Sequence, residues 1–315
     1  MIKTENLTKR YQNHLAVDNL CLDVRPGEIY GFLGPNGAGK TTTIHMLLGL
    51  IRPTSGKLLV FGEAIGAYDF AFKRQIGVVA EEPAEDSKMS GWELVRFFAR
   101  LYGMEKPENR MEELFRSLDL WEVRRGQARD YSRGMRQKLS LIRALVHEPR
   151  LLILDEPVSG LDPHGIRQVR EMISAYQQAG GTVFISSHIL SEIEHTANRI
   201  GILHEGRLLI EDSMSGLRRR LAKQQRMTIE LEHVSPQLIK RLSNQAYVVQ
   251  LQQTGPQLNL LLRTQADVRA QISRLITEAG GVILKMQGDE MSLEEAFVTI
   301  TSQDVLALAE QPRTG

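Results

Sequence analysis

The feature that most narrows what this chain can fold into is a glycine-rich loop fixed between an apolar run and a helix. Gly31, Phe32 and Leu33 end a short stretch that reads as a strand, and Lys40 to Leu50 reads as the helix that follows. Between them runs GPNGAGKTT, from Gly34 through Pro35, Asn36, Gly37, Ala38, Gly39, Lys40 and Thr41 to Thr42. The three glycines permit backbone turns in which successive N–H groups point inward, making a concavity for an anion. The amino end of the helix adds partial positive charge. Lys40 is placed to reach the β and γ phosphates of a nucleotide, and the Thr41 hydroxyl to ligate Mg2+. A glycine-rich turn before an ordinary helix is the bland alternative.

A second constraint lies downstream. LLILD, at 151 to 155, is a continuous apolar run of the kind buried in a parallel sheet. Its carboxylate, Asp155, emerges where such sheets bind ligands and can hold Mg2+ through water. Glu156 is the candidate general base for an attacking water, because phosphoryl transfer needs a positioned acceptor more than covalent chemistry. A solvated turn broken by Pro157 is the competing reading. Just upstream, YSRGMRQKL at 131 to 139 opens an amphipathic helix. Ser132 at its start can act as a cap, and the first free N–H groups can face an anion.

GPNGAGKT, YSRGM before LLILDEP, SGLD at 159 to 162 and His188 in ISSH occur in that order. Together they resemble the ATP-binding subunit of ABC transporters over residues 1 to about 220. The resemblance implies a P-loop α/β fold with a mostly parallel sheet, antiparallel amino-terminal strands and a helical subdomain. It implies ATP and Mg2+ held by Lys40 and Thr41, with Asp155 as metal ligand and Glu156 as catalytic base. His188 is similar to the histidine that senses the γ phosphate. Ser132 and Gly134 resemble signature residues that contact the γ phosphate bound on the opposite subunit, and Asp162 the aspartate that crosses the dimer interface. Tyr11 matches the aromatic that stacks on adenine, a contact any base can satisfy through its π face.

Two positions depart from the family pattern. The usual pair of glycines is here Arg133 and Gly134, and Arg133 either strengthens an anion contact or points to solvent. The position usually held by glutamine aligns with Glu81, which can ligate Mg2+ or orient water but cannot donate an amide hydrogen bond. Glu82 competes for that assignment. Both changes resemble the branch serving drug and antibiotic exporters, as does the SLEE phrase within SLEEAF at 292 to 297.

Charge and organisation fit a part of a larger machine. With 39 basic and 38 acidic residues, no global field favours nucleic acid or anionic lipid. Arg218, Arg219 and Arg220 form a cationic run best explained as a solvated face. Cys21 is the lone cysteine, which points to a reducing cytosol. No run of about 18 apolar residues occurs, so the chain is expected to need another polypeptide to cross a bilayer. The loop with Glu81, Glu82, Glu85 and Asp86 either pairs with a basic stretch of that membrane partner or is ordinary exposed loop.

An ABC ATPase domain is expected over 1–222, with its helical subdomain over about 88–148. Trp92, Val95, Phe98, Ala99 and Tyr102 mark a buried helical face there. Residues 223–305 read as strand, helix, two strands, helix, strand, a small α+β domain of ferredoxin-like order with a dimerisation or regulatory role. Residues 306–315 read as a tail. The expected function is an ATP-hydrolysing dimer at the cytoplasmic face of the membrane, powering a separate permease, an exporter. A soluble non-transport ATPase of the same type and a nucleotide-gated binding module with little hydrolysis are the alternatives.

Overall fold

A computed structural model describes residues 1–64, 70–82, 87–221, 224–264 and 266–290. Glu85, Asp86, the SLEEAF segment and the 306–315 tail lie outside the described residues, as do the side chains of Arg218, Arg219 and Arg220. The chain forms two compact units, Met1–Ser213 and Met214–Gly315. The division falls before the helix Met214–Leu221 rather than after it, at 222, because that helix groups with the carboxyl-terminal chain.

The first unit opens with β1 (Ile2–Tyr11), β2 (His14–Leu20), β3 (Asp23–Val24), β4 (Ile29–Leu33), α1 (Lys40–Leu47), β5 (Ser55–Val60), β6 (Glu63–Ala64), α2 (Phe70–Lys73) and β7 (Ile76–Val79). It continues with α3 (Gly91–Leu101), α4 (Glu108–Ser117), α5 (Arg133–Leu145), β8 (Leu151–Asp155), α6 (Pro163–Gln178), β9 (Thr182–Ser187), α7 (Leu190–Glu194), β10 (Arg199–His204) and β11 (Arg207–Ser213).

Its central sheet has the order β11-β10-β4-β9-β8-β7. The five strands from β10 to β7 are parallel, and β11 adds an antiparallel edge. Strands β4, β8 and β9 are buried along their whole length, as an apolar run covered on both faces must be. Phe184 of β9 is fully buried, with ring centroids 5.7 Å from Tyr30 and 5.2 Å from Phe32 of β4. The aromatic contact therefore ties together the two strands that lead into the site.

A smaller antiparallel sheet, β2-β1-β5-β6 with β3 on β1, packs into the same core through Ile2, Leu7, Val17 and Val60. The helical insert between β7 and β8 comprises α3, α4 and α5. Ser90 and Glu93 form a reciprocal capping box at the start of α3, with bonds of 3.2 and 2.9 Å. Val95 and Ala99 are buried as expected, but Leu94 joins them while Trp92, Phe98 and Tyr102 stay partly exposed. Trp92 instead packs on Phe115 and Trp121, with centroids 5.6 and 5.8 Å away.

The second unit contains α8 (Met214–Leu221), β12 (Gln224–Leu231), α9 (Pro236–Ser243), β13 (Val248–Thr254), β14 (Gln257–Arg263), α10 (Arg269–Glu278) and β15 (Ile283–Glu290). The sheet order is β13-β14-β12-β15, antiparallel throughout, and β12 to β15 follow the β-α-β-β-α-β succession of a ferredoxin-like unit. Ser235 caps α9 by accepting from the Leu238 N–H at 3.2 Å, with Pro236 in the first turn. Met227, Ile229, Leu238, Leu242, Ile272 and Ile276 form its own core.

Removal of the Phe184 ring tests the central packing. Phe184→Ala is expected to cost about 3–5 kcal/mol in the unfolding free energy of the first unit, read by denaturant titration. A loss below about 1 kcal/mol would show that these strands are held by something else.

Candidate active site

Four neighbouring strands end on one side of the central sheet. Parallel pairing sets Leu33 beside Ser187 and Asp155 beside Ser186, so three loops begin at the same level. Gly34–Thr42 leaves β4, Asp155 and Glu156 close β8, His188 follows β9, and Glu81 lies just past β7. This is where open parallel sheets bind ligands.

The loop needs its glycines for stated reasons. Gly37 and Gly39 have φ of 82° and 103°. A Cβ on Gly39 would lie 2.4 Å from the Ala16 carbonyl oxygen, a backbone atom with no room to yield. The Gly206 N–H donates to the Ala38 carbonyl at 2.9 Å, and the Gly34 N–H to the Ser187 carbonyl at 3.2 Å, fixing the loop from behind. No side chain caps α1, so the amino end that follows Gly39 is left for an anion.

Charge in the site is buried and paired. Lys40, 6% exposed, donates to the Gly34 carbonyl at 2.7 Å and the Pro35 carbonyl at 3.3 Å. It also lies 3.5 Å from Oε1 of Glu156. The other carboxylate oxygen of Glu156 is 2.9 Å from Nδ1 of His188. Burial pushes the Glu156 carboxyl above the ordinary glutamate value, against the opposing pull of the His188 hydrogen bond and charge and of the Lys40 ammonium. Its backbone sits at φ 50°, a left-handed conformation unusual for glutamate, and its N–H donates to both oxygens of Ser186.

Thr41 donates its hydroxyl proton to one Asp155 oxygen at 3.1 Å, and Ser186 donates to the other. The Thr41 hydroxyl and the Asp155 carboxylate at the phosphate loop, with Glu81 among the residues lining the same cavity, form a hard-oxygen set that fits Mg2+. Such an ion uses one or two protein oxygens and takes the remainder from water and phosphate.

A cavity of about 350 Å³ is lined by Tyr11, His14, Asn36, Gly37, Gly39, Lys40, Thr41, Thr42, Glu81, Asp155 and Glu156, with Ala16. The β1–β2 hairpin pairs Tyr11 with His14 and brings both to the rim. Glu81, rather than Glu82, reaches the wall. Of the expected site residues, the lining leaves out Gly34, Pro35 and Ala38 of the loop, and Ser132, Gly134, Asp162 and His188. Ser132 caps α5 through the Met135 N–H, and Asp162 caps α6 through the Gly165 N–H. His188 touches the site through Glu156.

Sequence reasoning missed Ser186 and His14. A serine directly after the apolar run VFI was a usable signal for Ser186, since a buried hydroxyl needs a partner. His14 becomes visible once the hairpin register is known.

The family model described as "ABC transporter" matches residues 17–159. A bacitracin transport ATP-binding protein of Bacillus licheniformis is 39% identical over 95% of this chain and 97% of its own length. A lantibiotic transport ATP-binding protein of Streptococcus pyogenes is 36% identical over 69% of this chain and 92% of its own. Among solved structures, an ATP-binding subunit of an ABC transporter is similar at 29% identity, with a TM-score of 0.66 over 70% of this chain and 92% of that one. A dimeric post-hydrolysis ATP-binding cassette bound to ADP and Pi, 23% identical with a TM-score of 0.63 over 68% of this chain and 99% of that one, shares the fold.

The raised Glu156 pKa has a consequence for stability. Because the folded carboxyl is the weaker acid, its contribution is fully present below the unfolded pKa and is lost as pH rises through the folded one. Glu156→Gln is therefore expected to raise the thermal midpoint of the nucleotide-free chain at neutral pH, with the gain shrinking on acidification. A lower midpoint at neutral pH would mean that the Lys40 and His188 contacts outweigh burial.

Proposed function

The chain belongs to the ABC transporter family as an ATP-binding subunit, and from that premise we propose that it works as an ATP-closed dimer powering a separate membrane permease, an exporter. It binds ATP and hydrolyses it. The relatives named for bacitracin and lantibiotic transport support a peptide-antibiotic cargo, and a place at the cytoplasmic face of the membrane, held by the permease. Among the described residues no helix is long and apolar enough to cross a bilayer.

In this reading the phosphates settle on the N–H groups of Gly37 to Thr41, and Lys40 exchanges the Gly34 carbonyl and Glu156 for phosphate oxygens. Thr41 and Asp155, with Glu81 alongside, would hold Mg2+, which when bound would supply neutralising charge to the nucleotide phosphates. Glu156, released from Lys40, takes the proton of the attacking water, and burial, by raising its carboxyl above the ordinary glutamate value, makes it a stronger base than a solvated carboxylate. His188 holds the Glu156 carboxylate in place and senses the γ phosphate. Tyr11 stacks on adenine. Ser132 and Gly134 close the open side of the γ phosphate on the opposite subunit, with Asp162 at the interface. The second unit serves dimerisation or regulation.

The observation that carries the reading is the chain of contacts Lys40–Glu156–His188 beside Thr41–Asp155 at adjacent strand ends. ATPase rate measured against protein concentration, with and without Glu156→Gln, tests it. Wild-type turnover per chain is expected to rise with concentration, and the variant to lose about 10²–10⁴-fold while forming dimers with ATP. Turnover that survives the substitution would move the base elsewhere.

A further inference from the structure

Arg133 stands where the family pattern has glycine, and its side chain is committed to its own chain. Its guanidinium Nη2 donates to the Ser159 hydroxyl at 3.0 Å. It lies across Gly160, where a Cβ would fall 2.8 Å from Arg133 Nε. Gly160 has φ 76°, so glycine there serves both the turn and the overlying side chain.

Two more contacts tie the same helix to the same segment. The buried Gln137 amide donates to the Pro157 carbonyl at 3.1 Å. A Cβ on Gly134 would sit 3.3 Å from Leu161 Cδ2 and 3.4 Å from the Gly160 carbonyl oxygen. The first turns of α5, which Ser132 caps, are thus laced to the stretch that runs from Glu156 to Asp162. The other cations nearby are also occupied. Arg136 donates to the Tyr131 carbonyl at 2.6 Å, Lys138 to Gln168 at 2.7 Å, and Arg129 lies 3.8 Å from Asp130. The basic run is engaged by its own chain and does not converge on a shared anion pocket.

We propose that Arg133 is a positioning residue that holds the Ser159–Asp162 loop in register with Ser132. It thereby links the site where Glu156 works to the site on the opposite subunit that Ser132 completes. The inference rests on the dimeric ATPase reading above. Its physical basis is that one strut joins the two surfaces a chain would present to its two nucleotides. Loosening the strut misplaces Glu156 and Ser132 relative to each other without removing any group from the phosphate-binding loop.

The test is steady-state ATPase kinetics on the full chain for wild type, Arg133→Ala, Arg133→Lys, Ser159→Ala and the double Arg133→Ala/Ser159→Ala. Arg133→Ala and Ser159→Ala are each expected to lower kcat by about fivefold to tenfold, the scale of one ordinary hydrogen bond at an exposed site, with KM for ATP nearly unchanged. The double variant is expected to be no worse than either single one. Arg133→Lys should recover part of the loss, and cooperativity in ATP should fall toward a Hill coefficient of about 1 in the alanine variants. A large rise in KM for Arg133→Ala with kcat intact, or additive losses in the double variant, would overturn the proposal in favour of a direct anion contact. Unchanged kinetics in Arg133→Ala would overturn it as well. Wild-type turnover that is absent or independent of concentration would instead bring down the dimeric ATPase reading, and this inference with it.

Discussion

The parallel pairing of β4, β9 and β8 is the constraint on which the rest of this molecule depends. Strands adjacent in the sheet are far apart in sequence, and the register that sets Leu33 beside Ser187 and Asp155 beside Ser186 decides which loops meet. A slip of one residue would turn each side chain to the opposite face. Such a slip is costly because the buried positions differ in size: a Cβ on Gly31 would lie 2.3 Å from Ile193 Cγ2, while Phe184 fills the space against Tyr30 and Phe32. Packing at the middle of the sheet thus governs chemistry at its end.

What the register delivers is a set of buried charges that satisfy one another. An ion pair such as Lys40–Glu156, with both side chains more than nine-tenths buried, is not stabilising by itself, because desolvation offsets the Coulomb attraction. It is tolerable because the Gly34 and Pro35 carbonyls share the ammonium and His188 shares the carboxylate. The raised Glu156 pKa and its left-handed backbone record the residual cost. In the proposed mechanism a phosphate anion offers Lys40 a stronger acceptor than two carbonyls, so nucleotide entry and release of Glu156 become one exchange.

Much of this was legible in the residues. The glycine loop, the LLILD strand and its acid pair carry their conformational requirements locally, so GPNGAGKTT and Asp155–Glu156 could be placed before any tertiary contact was known. The carboxyl-terminal alternation of strands and helices was legible for the same reason: its apolar periods are short and bounded by TGP and GG. Ser186 and His14 were hidden, since their importance comes from strand register and a hairpin tip rather than from any motif. The side-chain path of Arg133 was likewise open in sequence, because whether a cation meets solvent, an anion or its own loop depends on Gly160, twenty-seven positions away. The unit boundary at Ser213 differs from the expected 222 because composition shifts after α8, while packing shifts before it.

The cavity bounded by the loop of Gly34 to Thr42 takes no wall from Ser132, Gly134 or Asp162 of the same chain, and the proposed function has a second copy supply that wall. The most direct measurement of that claim is complementation between two inactive variants. Lys40→Ala lacks the phosphate anchor but keeps Ser132, whereas Ser132→Arg keeps the anchor but blocks the helix end. Each alone is expected to be inactive, and their mixture to regain ATP hydrolysis through the one intact composite site of the mixed dimer. A mixture as silent as its components, or a Ser132→Arg chain fully active alone, would contradict a pocket completed by a second copy.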